Sequence, residues 1–169
     1  VKRFEFGVSY ADVIADFGST PEKDGHQFVE WSYTGTSVQA SDETNIITAT
    51  YALIDYRIVF NLNGGTGSAP AEVSDVTVED TVQEPEYNGT RAGYTFAGWS
   101  FDEFGISDAF NDSGEMYWSY ATLYEEDDHS IIVYAAWEKV TYSLQYDLNG
   151  GTGTAIEGIS EVRIENYIN

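Results

Sequence analysis

Apolar side chains recur at every second position from Tyr56 to Leu62 and again from Tyr142 to Leu148. A period of two is the pattern of a strand that buries one face, so both stretches are predicted to be β-strands. Each stretch runs into Asn-Gly-Gly-Thr-Gly, where asparagine and glycine tolerate positive φ angles. The chain is therefore expected to leave the sheet through a sharp turn after each strand.

These two stretches belong to an internal repeat. Tyr56 and Tyr142 stand 86 positions apart, and residues 47–51 align with residues 133–137 at that same offset. Residues 25–31 align with residues 93–99 at an offset of 68, so the second copy carries about eighteen additional residues after its tryptophan. Self-similarity at a fixed period indicates tandem modules.

The remaining pattern predicts a strand-dominated α+β fold. Two runs rich in aromatic and β-branched residues, 94–99 and 131–137, are predicted to be buried strands that pair with the first strand of their module. Apolar residues at positions 10, 13, 14 and 17 follow the helical period, and Ser9 and Asp12 have the spacing of a capping box, which predicts a short helix. The equivalent stretch, 77–82, is β-branched and fits either a strand or a helix.

The repeat predicts three segments. Residues 1–55 form a module that lacks its first strand, and residues 56–137 form a complete module with an acidic and aromatic insertion at 102–129. Residues 138–169 supply the opening strand and the start of a further repeat, or a donated strand.

Composition narrows the functional classes. The chain has 169 residues, of which 42% are hydrophobic and 15% aromatic, enough to build packed cores. Its net charge of −22 repels nucleic acid phosphates, so nucleic acid is not expected as a partner. Cysteine is absent, which excludes disulfides and thiolate metal sites, and no apolar run reaches the roughly 18 residues needed for membrane insertion.

The second copy carries a recognisable combination of motifs: an alternating strand ending in Asn-Gly-Gly, Gly-Tyr-Thr-Phe-Ala-Gly-Trp at 93–99 and Ile-Val-Tyr-Ala-Ala-Trp at 132–137. This combination resembles the Listeria–Bacteroides repeat, also called the internalin-type B repeat. The resemblance implies a β-grasp-like module, in which a twisted sheet embraces a short helix, strung in tandem in prokaryotic surface proteins. It implies no catalytic residues.

The structural signature of the resemblance is carried by Gly64, Gly65, Gly93, Tyr94, Phe96, Gly98, Trp99 and Trp137, with Phe28 and Trp31 in the first copy. The chain departs from the family pattern where Glu30 occupies the position of Gly98, and where the insertion at 102–129 enlarges the second copy.

The insertion holds the candidate binding residues. Its hard oxygen ligands suit calcium, although their spacing differs from that of the Asp-x-Asp-x-Asp-Gly loop, so a solvated acidic surface is the favoured interpretation. The calcium candidates are Asp108, Asn111, Asp112 and Glu115. An aromatic group next to them is a candidate platform for glycan or protein, although covering the module's own sheet is the favoured role. The group consists of Tyr117, Trp118, Tyr120 and Tyr124, with Met116 beside it.

Catalysis is not expected. His26 occupies the position of Tyr94 in the other copy, His129 lies in a polar stretch, and neither has a nucleophile motif beside it. The predicted function is that of a non-enzymatic extracellular or cell-surface stalk, spacer or filament-assembly module of a prokaryote. The alternative is an adhesin module that binds host protein or glycan through the insertion.

The expected partners are other copies of the chain or neighbouring repeats. The first module lacks the strand that the last segment carries, so head-to-tail strand complementation into a filament is one hypothesis. The other is that the chain is cut from a longer covalent array. Both predict that residues 142–148 belong to a module other than 56–137.

Overall fold

A computed structural model describes residues 4–40, 45–126, 128–154 and 156–163. The outermost residues of the first and last predicted modules, 1–3 and 164–169, lie outside the described residues. The elements in chain order are α1 (Tyr10–Ala15), β1 (His26–Tyr33), β2 (Ile47–Leu53), β3 (Tyr56–Asn61), β4 (Val73–Val76), β5 (Tyr94–Ser100), α2 (Trp118–Ala121), a 3-10 turn (Thr122–Tyr124), β6 (Ser130–Lys139), β7 (Tyr142–Leu144) and β8 (Ile159–Val162). With 8% helix and 38% strand, the fold is α+β and strand-dominated, as predicted.

The chain divides into two compact units. The first comprises residues 1–56 together with 75–80, and the second comprises residues 57–74 and 81–169. The stretch 75–80, which belongs to the second sequence repeat, is therefore part of the compact unit formed by the first.

A four-stranded sheet in the order β4-β3-β6-β5 organises the second sequence repeat. Strand β3 runs parallel to β6, with Ile58 opposite Ile131 and Phe60 opposite Val133, and β5 runs antiparallel to β6. The predicted pairing with the first strand is thus confirmed for β6, whereas β5 pairs with β6 instead. Ile58, Ile131 and Val133 are fully buried, because the parallel centre of the sheet is covered.

In the first unit, strands β1 and β2 form an antiparallel pair that is equivalent to the pair of β5 and β6. Phe28 lies opposite Tyr51 and Trp31 opposite Ala49, with a bulge between Phe28 and Glu30. In the second unit, Phe96 lies opposite Trp137 and the bulge falls between Phe96 and Gly98. The bulge therefore occupies the same repeat position in both copies.

Helix α1 confirms the predicted capping signal. The backbone N–H of Asp12 donates to Ser9 Oγ at 3.1 Å, and Ser9 Oγ donates to the Asp12 carboxylate at 2.6 Å. At the equivalent position of the second copy, Thr77 N–H and Oγ1 both donate to Asp80 Oδ2, but the chain forms a single turn there rather than a helix. The β-grasp-like arrangement implied by the resemblance stays a prediction, since a helix between β4 and β5 is absent from the described residues of this copy.

The last described segment is a hairpin. Strand β7 pairs antiparallel with β8, with Tyr142 opposite Val162. The strand predicted over residues 142–148 is shorter than expected and ends at Leu144. Both strands begin 86 positions after β3 and β4, so the segment repeats the opening hairpin of the second copy.

Candidate functional site

The Asn-Gly-Gly-Thr-Gly turn after β3 is held by the strands around it. Asn63 adopts a left-handed conformation with a φ of 48°, and its side-chain amide donates to the carbonyls of Glu103 and Ala135 at 2.8 and 3.0 Å. Gly65 lies so close to the Trp137 ring and the Tyr87 hydroxyl that no Cβ fits there. The second glycine of the motif is therefore required by packing rather than by ligand binding.

The signature aromatic residues meet around one tyrosine. The Tyr87 ring contacts Phe96, Trp99 and Trp137, with centroid separations of 5.1, 5.5 and 6.1 Å. Edge-to-face and tilted contacts at these separations are favourable. These residues lie far apart in the sequence but form one cluster in the fold. We call it the signature cluster, and it consists of Tyr87, Phe96, Trp99 and Trp137. Phe60 contacts Trp99 with a centroid separation of 5.0 Å.

Both indole nitrogens of the cluster find backbone acceptors. Trp137 Nε1 donates to the Leu62 carbonyl at 3.1 Å, and Trp99 Nε1 donates to the Pro85 carbonyl at 3.2 Å. The Tyr87 hydroxyl donates to the Thr66 carbonyl at 2.6 Å. Each polar tip of the cluster thereby fixes a loop to the sheet.

The first copy builds a smaller version of the cluster. The Trp31 ring stacks on Phe17 at 5.6 Å and meets Phe28 at the same separation, while Phe28 contacts Tyr51. Trp31 is only half-buried, whereas Trp99 is 2% exposed. The same signature residue is thus a core residue in one copy and a partly exposed one in the other.

Gly93, Gly64 and Gly98 all adopt positive φ, with values of 78°, 80° and 127°. Gly98 lies at the bulge of β5, and Gly93 precedes Tyr94, whose ring is covered by the Arg91 guanidinium at 4.3 Å. In the second copy, the signature glycines therefore serve the backbone conformation, and the signature aromatic residues serve the packing of the cluster.

The calcium candidates do not assemble into a metal site. Across the described ranges, no group of three or more histidine or acidic side chains could hold a metal ion. Asn111 Oδ1 instead accepts the backbone N–H groups of Ser113 and Glu115 at 2.8 and 3.0 Å, which stabilises a tight turn between Phe110 and Met116. Asp108 and Asp112 are exposed on the protein surface, in agreement with the favoured interpretation of a solvated acidic face.

The insertion is organised by Asp102, which the sequence patterns do not single out. Its carboxylate accepts backbone N–H groups of Phe104 at 2.9 Å and Ser107 at 2.7 Å, and longer ones from Ile106. Burial alone would raise the pKa of Asp102, but the hydrogen bonds from Ser107, Ile106 and Phe104 outweigh it and hold the pKa below its ordinary value. Asp102 is therefore an ionised anchor for the first loop of the insertion.

The aromatic candidates divide between core and surface. Tyr124 stacks on the buried ring of Phe101 at 5.3 Å and 13°, and Trp118 is half-buried, so part of the group covers the module's own interior. Tyr117 and Tyr120 meet edge to face at 6.0 Å and remain exposed. An open pocket of about 640 Å³ lies over these rings; it is lined by Ser107, Asp108, Tyr117, Tyr120, Leu123 and Tyr124.

The two histidines have local partners. His26 Nδ1 lies 2.7 Å from the Asp24 carbonyl and Nε2 lies 2.9 Å from Lys23 Nζ, while His129 pairs with Glu125. These contacts stabilise turns, and no nucleophile is among them.

This geometry defines a class of protein: a strand-dominated repeat module in which the motif residues pack against one another. Residues 56–124 match the model of the Listeria-Bacteroides repeat domain. This match confirms, over that segment, the resemblance to the Listeria–Bacteroides repeat.

Two proteins of Evansella cellulosilytica are similar to the chain. One, named as a Gly-rich membrane protein, is 29% identical over 161 residues, which cover 86% of this chain and 17% of the relative. The other, named as a membrane protein, is 30% identical over 174 residues, which cover 94% of this chain and 23% of the relative. The chain thus spans about a fifth of the length of these curated relatives. No solved structure matches the chain.

Neither helix in the described part of the chain has the length and apolar character needed to cross a membrane.

Proposed function

We propose that this chain is a non-enzymatic part of an extracellular repeat protein and acts as a stalk or spacer on the surface of a prokaryote. The family match and the similarity to proteins named as membrane proteins support a surface repeat protein. The signature residues have packing roles, since Trp99 and Trp137 both contact the Tyr87 ring and Gly65 lies against the Trp137 ring.

One observation carries the proposal: successive copies repeat the same strand pair with the same bulge. Phe28 and Phe96 precede the bulge in their copies. Each copy also closes its strand pair with an equivalent hydrogen bond: Ile54 N–H donates to the Gly25 carbonyl, and Val140 N–H donates to the Gly93 carbonyl. Nearest-neighbour repetition of this kind lets an array be lengthened without redesigning its packing. Neighbouring repeats are the proposed partners.

The spacer role is tested by changing the number of repeats. A further copy of residues 56–141 is inserted before Tyr142, and the maximum dimension of each protein is measured by small-angle X-ray scattering. We expect a constant increase with each added copy. A matched array in which the added copy carries Trp99→Ala should lose the regular increment, because that copy loses its core aromatic residue. A dimension that does not grow with copy number would contradict the spacer role.

Binding of a glycan or a host protein is the second candidate function, favoured by the pocket over Tyr117, Tyr120 and Tyr124. Exposed tyrosine rings offer flat apolar surface with a polar tip, and Asp108 and Ser107 place oxygen acceptors at the rim. The region between Arg91 and Lys139 contains no lysine or arginine, so a neutral or cationic ligand fits the site better than an anionic one.

The second candidate is tested on a glycan array and by pull-down with host extracts. Binding that disappears in Tyr120→Ala but persists in Phe6→Ala, which removes an exposed aromatic ring of the first unit, would support an adhesin. Equal binding by both variants, or no binding by the unmodified chain, would contradict the adhesin function.

A further inference from the structure

The insertion presents a contiguous apolar surface within the second sequence repeat. Phe104 and Leu123 are 77% and 75% exposed, and Tyr120 is 56% exposed. The pocket of about 640 Å³ over Tyr117 and Tyr120 has a neighbour of about 420 Å³ beside Phe104, and Leu123 and Tyr124 line both pockets. We call the surface formed by these residues the insertion face. Exposed apolar residues are common singly, but a contiguous group marks a binding surface.

Contacts beneath the insertion face hold it in place. The Asp102 carboxylate accepts the backbone N–H of Phe104 at 2.9 Å, which fixes one side of the face. The Tyr124 hydroxyl lies 3.0 Å from Ser107 Oγ, and the Tyr124 ring stacks on the buried ring of Phe101. A preorganised surface loses little conformational entropy when a partner binds, so these contacts favour binding.

The smaller of the two pockets is lined by carboxylates. Glu103, Glu125 and Glu126 lie along it together with Asp102. Glu125 pairs with His129, and Asp102 is taken up by backbone N–H groups. Within the described residues, no lysine or arginine forms an ion pair with Glu103 or Glu126, and both of these residues are exposed. The insertion face therefore places two uncompensated negative charges beside its apolar rings.

This combination of charge and apolar surface selects among partners. The insertion has no lysine or arginine to neutralise nucleic acid, an anionic lipid surface or an anionic glycan. A second copy of the chain would bring a further net charge of −22 with only seven lysine and arginine residues, so copies repel one another. A neutral glycan would contact the tyrosine rings but make no use of the carboxylates. A cationic partner with apolar side chains uses both halves of the face.

We propose that the insertion face binds a cationic polypeptide segment in which lysine or arginine recurs beside apolar residues. An apolar side chain of the segment packs against Tyr117, Tyr120 and Leu123, and a neighbouring ammonium or guanidinium group pairs with Glu103 and Glu126. The apolar contact supplies affinity, and the charges supply specificity and a faster association rate. This inference rests on the second candidate function and deepens it by naming the chemistry of the partner.

Fluorescence anisotropy with labelled synthetic peptides tests the chemistry of the partner. In the first peptide lysine, leucine and serine recur in turn, and two sister peptides replace either every lysine by glutamate or every leucine by serine. We expect the first peptide to bind the unmodified chain with an affinity that falls as salt is added. The glutamate peptide should not bind, and the peptide without leucine should bind at least about tenfold more weakly. Equal binding of the peptides with and without leucine would show a general attraction to an acidic chain and would overturn the proposal.

Charge-matched variants test the position of the carboxylates. Glu103→Gln combined with Glu126→Gln should weaken binding of the first peptide by about fivefold or more, because two ion pairs are lost. Glu22→Gln combined with Glu30→Gln removes the same charge from exposed positions of the first unit and should leave binding nearly unchanged at physiological salt. Equal effects of the two double variants would overturn the assignment of the cation to this pocket.

A matched pair of apolar variants tests the other half of the face. Leu123→Ser should weaken binding of the first peptide by about fivefold, whereas Val29→Ser, at an exposed apolar position of β1, should have no effect. Equal effects would contradict the proposed contact.

The outcomes separate this inference from the functions proposed above. A chain that binds none of the peptides overturns the inference, and so does a neutral glycan that binds the face without dependence on salt or on Glu103 and Glu126. The glycan array and pull-down decide the adhesin function on their own, and the dimension of the lengthened arrays decides the spacer role.

Discussion

The β1–β2 pair of the first unit and the β5–β6 pair of the second are built alike and packed differently. Both bring a tryptophan opposite an alanine after a bulge, as Trp31 faces Ala49 and Trp99 faces Ala135. Ala135 is fully buried and Ala49 only half-buried, and Ser100 is buried where Ser32 is exposed. The two strand pairs keep the same pairing register although their surroundings differ in burial, so the register is set by the paired strands.

Burial follows from what is added to the pair. In the second unit, β3 lies beside β6, and the insertion buries Phe101, Ala109 and Ala121. In the first unit, α1 buries Tyr10 and Val13, and the Tyr10 ring meets Tyr33 at 5.1 Å. The same strand pair thus supports a larger buried core in the second unit than in the first, where Val29, Tyr33 and Leu53 remain exposed.

The largest expected difference between the copies comes from the tryptophans. Trp99→Ala should lower the free energy of unfolding of the second unit by about 3 to 5 kcal/mol, because it empties a buried site in the signature cluster. Trp31→Ala should cost the first unit clearly less, since its ring is half-exposed. Urea denaturation combined with hydrogen exchange at β5–β6 and β1–β2 amides separates the two units. Equal losses of stability would contradict the inference that the two tryptophans differ in their contribution to packing.

The glycine turns give the next largest difference. Gly65→Ala forces a methyl group into the Trp137 ring and the Tyr87 hydroxyl, and we expect a loss of about 1 to 3 kcal/mol. Gly151→Ala changes the same motif in the third repeat, where, among the described residues, an added Cβ would meet the Leu148 carbonyl at 3.0 Å and no aromatic ring. Thermal unfolding of both variants measures the effect. A comparable loss from Gly151→Ala would show that the turn itself, and not the cluster, requires the glycine.

Local signals in the sequence predict much of this fold. Alternation identifies β3, aromatic and β-branched runs identify β5 and β6, and the cap at Ser9 identifies α1. The third repeat shows how local the turn signal is, since Asn149 reproduces the conformation of Asn63 in a hairpin that pairs only β7 with β8.

Long-range choices are not encoded in such patterns. The segment 77–82 carries the cap-like pair Thr77 and Asp80 at the spacing of Ser9 and Asp12, yet it forms a single turn that belongs to the first compact unit. Its Val78 side chain lies against Gly25, so tertiary packing decides its conformation. Likewise nothing near Tyr87 marks it as the centre of the cluster, because its contacts are with residues on β5 and β6.

The cap of α1 offers a smaller effect, confined to the first unit. Ser9→Ala removes the acceptor of the Asp12 N–H, and we expect a loss of about 1 kcal/mol. Ser19→Ala, at an exposed position beyond the helix, is the matched control and should be neutral. Circular dichroism during urea denaturation measures both variants. If Ser9→Ala were neutral as well, the helix would be held by Tyr10 and Val13 packing alone.

The smallest expected effect is a pH dependence that distinguishes the second unit through Asp102. Hydrogen bonds from Phe104, Ile106 and Ser107 lower the pKa of this carboxyl in the folded protein, so folding favours its ionised form. That contribution to stability is complete above the ordinary carboxyl pKa of about 4 and is lost as the pH falls through the lowered value. Asp102→Asn should therefore weaken the second unit at neutral pH and reduce the steepness of its acid unfolding, with Asp112→Asn, on the exposed turn, as the control. Hydrogen exchange at Ser107 between neutral pH and pH 3 measures it, and an unchanged acid profile in Asp102→Asn would exclude Asp102 as the titrating anchor of the insertion.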